Sequence, residues 1–281
     1  MKTLYVSDLD GTLLNSNTAL TDTTIETINA LVEEGMEFTF ATARSITSAS
    51  LVSRGLHLRT PLIVYNGVYL LDPDSHDILY SHSFTRQDAQ DILNYLLRHD
   101  MIPFVYSYID GRERVSYMEE GMHEGGKYYM ESRPYDKRFR KVDTTEQLLE
   151  GDVFYFTCIH DGSFFKPMYE YLEETTDYVI VFQQELYREE YWLEVMPRGV
   201  SKAQAILELK EKGGYDRVIS FGDAINDLPM FQISDECYAV GNAIEELKNT
   251  ATAVIGDHDA DAVAMWLKEN YQKKAGGSAS V

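Results

Sequence analysis

The sequence predicts an α/β fold: a three-layer core built on a mostly parallel sheet covered on both faces, interrupted by an inserted α+β domain. Two observations predict it. Strands alternate with helices at both ends of the 281-residue chain, whereas the middle gathers strands with few helices between them. Composition changes in the same region, since thirteen of the twenty tyrosines fall between Tyr95 and Tyr191.

Residues 4–7 form a short apolar run of the kind a strand buried on both faces requires. Ile25, Ile28, Leu31 and Val32 then recur at helical spacing, with Thr21 placed to cap that helix and Gly35 to end it. Residues 37–41 and 61–65 are the second and third predicted strands, and runs at 68–71 and 78–84 flank Asp72, Pro73 and Asp74 as a hairpin. In the middle, Thr85 caps a helix with Asp88 as its capping-box partner and Ile92, Leu93, Leu96 and Leu97 as its apolar face. Strand-like runs follow at 102–107, 113–118, 153–158, 178–182 and 191–196, with helices expected near 145–149 and 165–174. The tyrosines there are expected to pack against the sheet, with a substrate-facing aromatic wall as the sharper alternative. After Pro197 the alternation resumes: a helix at 201–212, a strand at 217–221, a helix from 226, a strand at 236–240, and helices near 244–249 and 259–270. The division that follows is a core of residues 1–84 and 196–272, an insertion of residues 85–195, and a disordered or appended tail of residues 273–281.

Charge excludes several partner classes. Lys and Arg number 25 against 46 Asp and Glu, and the formal charge of −21 repels nucleic acid and anionic membranes. A phosphate can still bind such a protein where a metal ion and a few cations reverse the sign inside one pocket. Cys158 and Cys237, each beside an apolar run, are expected as reduced thiols in packed strands. No apolar run approaches the roughly 20 residues that cross a bilayer, and the chain runs into its first strand without room for a signal peptide. The expectation is a soluble cytoplasmic monomer with neither a nucleic-acid nor a membrane partner.

Two acidic constellations follow strands directly. Asp8-Leu9-Asp10-Gly11-Thr12 comes after the first, and Gly222-Asp223-Ala224-Ile225-Asn226-Asp227 after a later buried one. Ligands of open parallel sheets sit beyond the carboxyl ends of strands, so both occupy site positions. Gly11 lets the chain turn so that two alternate carboxylates can face one centre. Alone, the first motif is equally a solvated turn and the second a helix N-cap. Together they make a site for a hard cation such as Mg²⁺. Thr42 ends the second strand, where its hydroxyl can donate to a phosphate oxygen. Lys202 opens a helix whose N-terminus is already positive, a combination that suits a bound phosphate.

The order Asp-x-Asp-Gly-Thr, strand-end Thr42, helix-start Lys202 and Gly-Asp-x-x-Asn-Asp resembles the haloacid dehalogenase superfamily of phosphatases. The insertion between the Thr and Lys motifs, with Asn66-Gly67 and Gly241-Asn242-Ala243, is similar to the Cof-type subfamily and its inserted α/β cap. The resemblance runs to about Tyr271. It departs at Ala43, where that subfamily usually has glycine. It implies a Rossmann-like core and a Mg²⁺-dependent phosphatase of small phosphorylated metabolites, sugar phosphates first and a phosphorylated cofactor second. It implies Asp8 as the nucleophile that forms an aspartyl-phosphate, with Asp10 as general acid and then base. It places the metal on the Asp8 carboxylate, the Asp10 carbonyl and Asp223, with Asp227 orienting them, and the phosphoryl oxygens on Thr42, Lys202 and Asn226. Arg44, Asn66 and Gly67 fall where they can touch the substrate beyond its phosphate, structural hydrogen bonding being the equal alternative. Because Asp10 must be protonated when substrate arrives, burial or a neighbouring acid is expected around it. A basic island of Lys127, Arg133, Lys137, Arg138 and Arg140 reads as a solvated loop or a contact for an anionic substrate. The competing functions are a phosphosugar mutase on the same scaffold and a receiver-like module phosphorylated without turnover. Asp10 and the large insertion argue for turnover.

Overall fold

In a computed structural model, which describes residues 1–184 and 188–276, the chain opens with the expected apolar strand β1 (Thr3–Ser7), buried from its second residue on. Helix α1 (Asp22–Glu33) begins where Thr21 accepts the Thr24 N–H, buries Ile28, Leu31 and Val32, and stops before Gly35. Strand β2 (Glu37–Phe40) follows. Helix α2 (Ile46–Val52), capped by Ser45, escaped the sequence reading because Ala49 is its one buried residue, so it carries no apolar periodicity. Strands β3 (Leu62–Val64), β4 (Tyr69–Leu71) and β5 (Ile78–Ser81) complete the first segment, with β4 and β5 forming the expected hairpin.

The middle segment runs α3 (Arg86–Arg98), β6 (Phe104–Ile109), β7 (Arg112–Tyr117), α4 (Glu124–Glu131), β8 (Phe139–Lys141), α5 (Thr145–Leu148), β9 (Asp152–His160), α6 (Gly162–Thr175), β10 (Val179–Gln184) and β11 (Tyr191–Met196). The last segment runs α7 (Lys202–Gly213), β12 (Arg217–Gly222), α8 (Leu228–Ile233), β13 (Glu236–Ala239), α9 (Glu245–Thr250), β14 (Ala253–Val254) and α10 (Ala262–Gly276). The tail expected from residue 273 thus begins inside α10, and its residues 277–281 lie outside the described ones. Among the described residues no helix is long and apolar enough to cross a membrane.

Two compact units result, one of residues 1–81 with the chain from Ser201 on, the other His82–Val200. In the first, a five-stranded sheet has the order β14-β13-β12-β1-β2 with all pairs parallel. The antiparallel sheet β3-β4-β5 joins it through a single parallel bridge between Ala41 and Ile63. From β1 the chain steps outward to β2 on one side, and from β12 to β13 and β14 on the other. The topological switch point therefore lies between β1 and β12, where open parallel sheets hold their ligands. Thr21 and Thr24 both donate to Asp261 Oδ1, at 2.6 and 2.8 Å, tying α1 to the start of α10.

The second unit is the expected α+β body. Its six-stranded sheet has the order β10-β11-β9-β6-β7-β8 and is antiparallel except for β7 against β8. Helices α3, α5 and α6 contribute Ile92, Leu93, Leu148, Phe165 and Leu172 to a core with Val105, Val153, Phe156 and Leu193 of the sheet. The cap of α3 differs in one detail from the expected box: Thr85 accepts the Asp88 N–H and its hydroxyl donates to the Asp88 carboxylate. Asp88 also accepts from Tyr178 Oη at 2.7 Å and Arg198 Nη2 at 3.0 Å. Phe156 is fully buried at the centre, edge-on to Phe84 at 5.4 Å between centroids. Truncating it removes a ring that the surrounding β-sheet cannot collapse to replace. Phe156→Ala is expected to lower the stability of this unit by about 3–5 kcal/mol, read as a drop in the urea midpoint of its unfolding.

Candidate active site

Register does the first part of the assembly. Strands β1 and β12 pair in parallel with Ser7 opposite Phe221, so both end at the same edge. The Asp8 N–H continues the ladder onto the Phe221 carbonyl at 2.9 Å. Asp8 and Asp223 therefore leave neighbouring strands, whose axes lie about 5 Å apart. Gly11, at φ +76°, then turns the first loop, and a Cβ at that position would stand 2.5 Å from Asp223 Oδ2. Only glycine both adopts this conformation at no steric cost and leaves room for the carboxylate.

Asp227 and Lys202 close the site from behind. Asp227 Oδ2 accepts the N–H groups of Asp223 and Ala224 at 3.0 and 3.1 Å, while Oδ1 accepts Lys202 Nζ at 2.7 Å. Lys202 Nζ also donates to Asp8 Oδ1 at 2.5 Å. The lysine expected at this helix start is 2% exposed, with its ammonium lodged between two carboxylates. It is carried there by α7, whose N-cap Ser201 accepts the Gln204 N–H at 3.0 Å. Gly67, at φ +102°, lets α7 in: a Cβ on it would lie 2.3 Å from the Ser201 carbonyl oxygen. Gly67 thus serves the placement of Lys202.

Asp8, Asp223 and Asp227 each offer a carboxylate oxygen, all within 4.8 Å of one another. Hard oxygen donors at this spacing suit a divalent cation. Both Asp227 oxygens are engaged, one by Lys202 and one by two backbone N–H groups, an arrangement that agrees with the orienting role expected of it beside Asp8 and Asp223. The electrostatics follow from the crowding. Burial pushes the Asp8 carboxyl above the usual range against the pull of Lys202, and Asp227 adds to the rise. Burial and the Asp227 charge together push Asp223 up to about 6. Burial disfavours the Lys202 ammonium, but Asp8 and Asp227 outweigh it and hold its pKa above that of an ordinary lysine.

Asp10 stands apart. The enclosure expected around it is absent, since its side chain is 47% exposed and paired with Arg44. Arg44 Nε donates to Asp10 Oδ2 at 2.7 Å and Nη2 to Oδ1 at 2.6 Å, a bidentate clamp, with Nη1 on Ser48 Oγ at 2.8 Å. Arg44 is therefore a partner of Asp10. Thr42 is fully buried two residues past β2, next to Ala41, whose N–H donates to the Ser7 carbonyl at 2.9 Å. Its hydroxyl accepts the Arg44 N–H at 3.1 Å and its carbonyl the Asn66 N–H at 2.9 Å, so the loops carrying Arg44 and Asn66 are fastened together. Asn66 has a left-handed backbone at φ 54°, a conformation asparagine tolerates better than most residues. Asn226 is exposed on the turn just before Asp227.

Two residues went unassigned in the sequence although they lie inside its motifs. Thr12 Oγ1 donates to Asp223 Oδ1 at 3.0 Å, and Asn242 Nδ2 donates to the Gly11 carbonyl at 2.8 Å. Their place in the two quoted motifs was the available signal; which carboxylate or carbonyl they reach depends on the fold.

With this geometry in hand, likeness to known proteins becomes specific. The family of haloacid dehalogenase-like hydrolases matches residues 5–267. A putative phosphatase of Buchnera aphidicola is 28% identical over 276 residues, covering 96% of this chain and 99% of its own. A pyridoxal phosphate phosphatase of Escherichia coli is 24% identical over 264 residues, with 92% and 95% covered. A Thermotoga maritima protein of known crystal structure superposes with a TM-score of 0.76 at 26% identity, covering 96% of this chain and 97% of that one. The chain belongs to the haloacid dehalogenase-like hydrolases, as a phosphatase whose relatives act on small phosphorylated substrates and whose α/β core carries an inserted cap domain.

Proposed function

We propose that this protein is a Mg²⁺-dependent phosphatase of small phosphorylated metabolites, sugar phosphates first, working through an aspartyl-phosphate on Asp8. The observation that carries the reading is the buried ion pair between Asp8 and Lys202 beside Asp223 and Asp227. The residues fit a divalent cation, with Asp8, Asp223 and the Asp10 backbone carbonyl as donors and Asp227 steadying Asp223 through its backbone N–H. When bound, Mg²⁺ supplies charge neutralisation for the phosphoryl oxygens.

The chain's own residues do the rest. Asp8 is held with one oxygen on Lys202, which leaves the other to attack phosphorus in line. Lys202 spreads its charge over the attacked group as negative charge moves outward. The Thr42 hydroxyl and exposed Asn226 supply further donors to the phosphoryl oxygens. Asp10 delivers a proton to the leaving alcohol and later takes one from the water that cleaves the aspartyl-phosphate. Arg44 engages both Asp10 oxygens, so Asp10 reaches the leaving group once the clamp opens. The inserted unit, residues 85–195 in this reading, is the cap.

Three outcomes test the proposal. Phosphate release from a panel of phosphorylated metabolites should require Mg²⁺, stop with chelator, and fall at least about a thousandfold in Asp8→Asn, which loses the nucleophile. Turnover by that variant at near-native rate, with deamidation excluded, would remove Asp8 from its role.

Metal binding should depend on pH. The folded Asp223 pKa of about 6 lies above the ordinary carboxylate value. The folded state therefore binds more protons than the unfolded one between about pH 4 and 6, and metal-free protein loses stability as pH rises through that window. A cation needs the deprotonated form, so the rise in melting temperature on adding Mg²⁺ should be larger at pH 7 than at pH 5. An equal rise at both pH values would count against Asp223 as a ligand.

Lys202→Met should leave Asp8 and Asp227 facing each other without a cation. A cost of about 3–5 kcal/mol is expected at pH 7, measured by denaturant unfolding and partly recovered on adding Mg²⁺.

A further inference from the structure

Within the second unit, α4 and β11 enclose a cavity of about 410 Å³ that the phosphatase chemistry does not use. Tyr128, Tyr129 and Trp192 form its aromatic walls, and Arg133, Arg188 and Glu190 its polar side. Tyr129 is the fixed part: its ring is buried, its hydroxyl is hydrogen-bonded to that of Tyr106 at 2.7 Å, and Trp192 meets it edge-on at 5.3 Å. Each arginine stacks on a tyrosine, Arg133 over Tyr129 and Arg188 over Tyr128, both 4.1 Å from the ring centroid. Stacking of this kind holds a guanidinium in place at little cost in hydration.

The two arginines differ in what they have left to offer. Arg188 is matched by Glu190, which accepts its Nε at 2.8 Å and its Nη2 as well. Arg133 spends one nitrogen, Nη1, on the Tyr129 carbonyl and the Ser132 hydroxyl, and the carboxylate near it, Asp136, is hydrogen-bonded by Arg138. Two arginines and one glutamate give the cavity a single positive charge, inside a chain of net charge −21. Carboxylates and amides, which both fix and discriminate a sugar's hydroxyls, are scarce here. Among the described lining residues the one carboxylate is engaged by Arg188, and none is Asp, Asn or Gln. Flat aromatic walls with one available guanidinium suit a different class of ligand.

We propose that this cavity binds a planar aromatic or heteroaromatic group carrying one negative charge, its ring against Trp192 and Tyr128 and its charge on Arg133.

Isothermal titration of the full chain, with chelator present, tests the site with 2-naphthoate, 2-naphthamide and cyclohexanecarboxylate. One-site binding of 2-naphthoate is expected, with the neutral amide and the saturated acid each weaker by about fivefold or more. Arg133→Gln should abolish the preference for the acid over the amide. Trp192→Leu should weaken 2-naphthoate by about fivefold, and Tyr128→Leu, at a half-exposed ring, carries the same test if that variant fails to fold. Asp8→Asn should leave binding unchanged. Absence of saturable binding at millimolar probe overturns the site, as does binding insensitive to the Arg133 and aromatic variants or abolished by Asp8→Asn. Binding is read without metal or turnover, so its failure and the failure of the phosphatase reading are seen separately.

Discussion

The ammonium of Lys202, buried and bonded to Asp8 and Asp227, is the interaction around which the site is built. Three carboxylates with oxygens within 4.8 Å of one another repel strongly in a medium where water is scarce. One lysine offsets one of three charges and leaves two. Burial first, and the surplus charge of Asp227 after it, raise the carboxyls of Asp8 and Asp223, against the pull of Lys202. The surplus is also the charge that a divalent cation would balance.

Holding such a cluster together falls to the backbone. Parallel pairing of β1 with β12 sets Asp8 beside Asp223 before any side chain is considered. Two glycines then remove atoms where chains must nearly touch, Gly11 against the Asp223 carboxylate and Gly67 against the first turn of α7. Thr12 and Asn242 stitch the first acidic loop to the second and to the loop after β13. The carboxylates are thus fixed by the sheet, the glycines and neutral donors, which bear the strain that the charges alone would release by moving apart.

This division explains what the sequence made legible. Asp8, Asp223, Asp227 and Lys202 could be placed from motif order and strand ends, because parallel-sheet topology converts position along the chain into position at one edge. Most helices were legible through periodicity and most strands as apolar runs, whereas α2, α4 and the short edge strands β8 and β14 were not. Helix α2 buries a single alanine, and α4 is a short helix whose buried residues are two glycines and Tyr129, so neither carries an apolar repeat. The basic island was legible as composition alone. In the fold Lys127 pairs with Glu124, Arg138 with Glu113 and Asp136, and Arg140 with Glu150, so most of its charge is spent locally. Arg44 on Asp10, and Gly67 against Ser201, join residues far apart in the chain with no shared pattern to announce them.

Asp8 and Asp10 lie two residues apart and meet opposite environments. The Asp8 side chain is 8% exposed and locked on Lys202, while that of Asp10 is 47% exposed and held by a single arginine. A nucleophile gains from immobility, because in-line attack tolerates little misplacement. A group that must give a proton to one partner and take one from water gains from access to both. The intervening wound turn makes the difference, sending Leu9 into the core and Asp10 out to solvent. Substituting a buried partner for Arg44 would fix Asp10 as firmly as Asp8, at the expense of the exchange with water that its two proposed roles require.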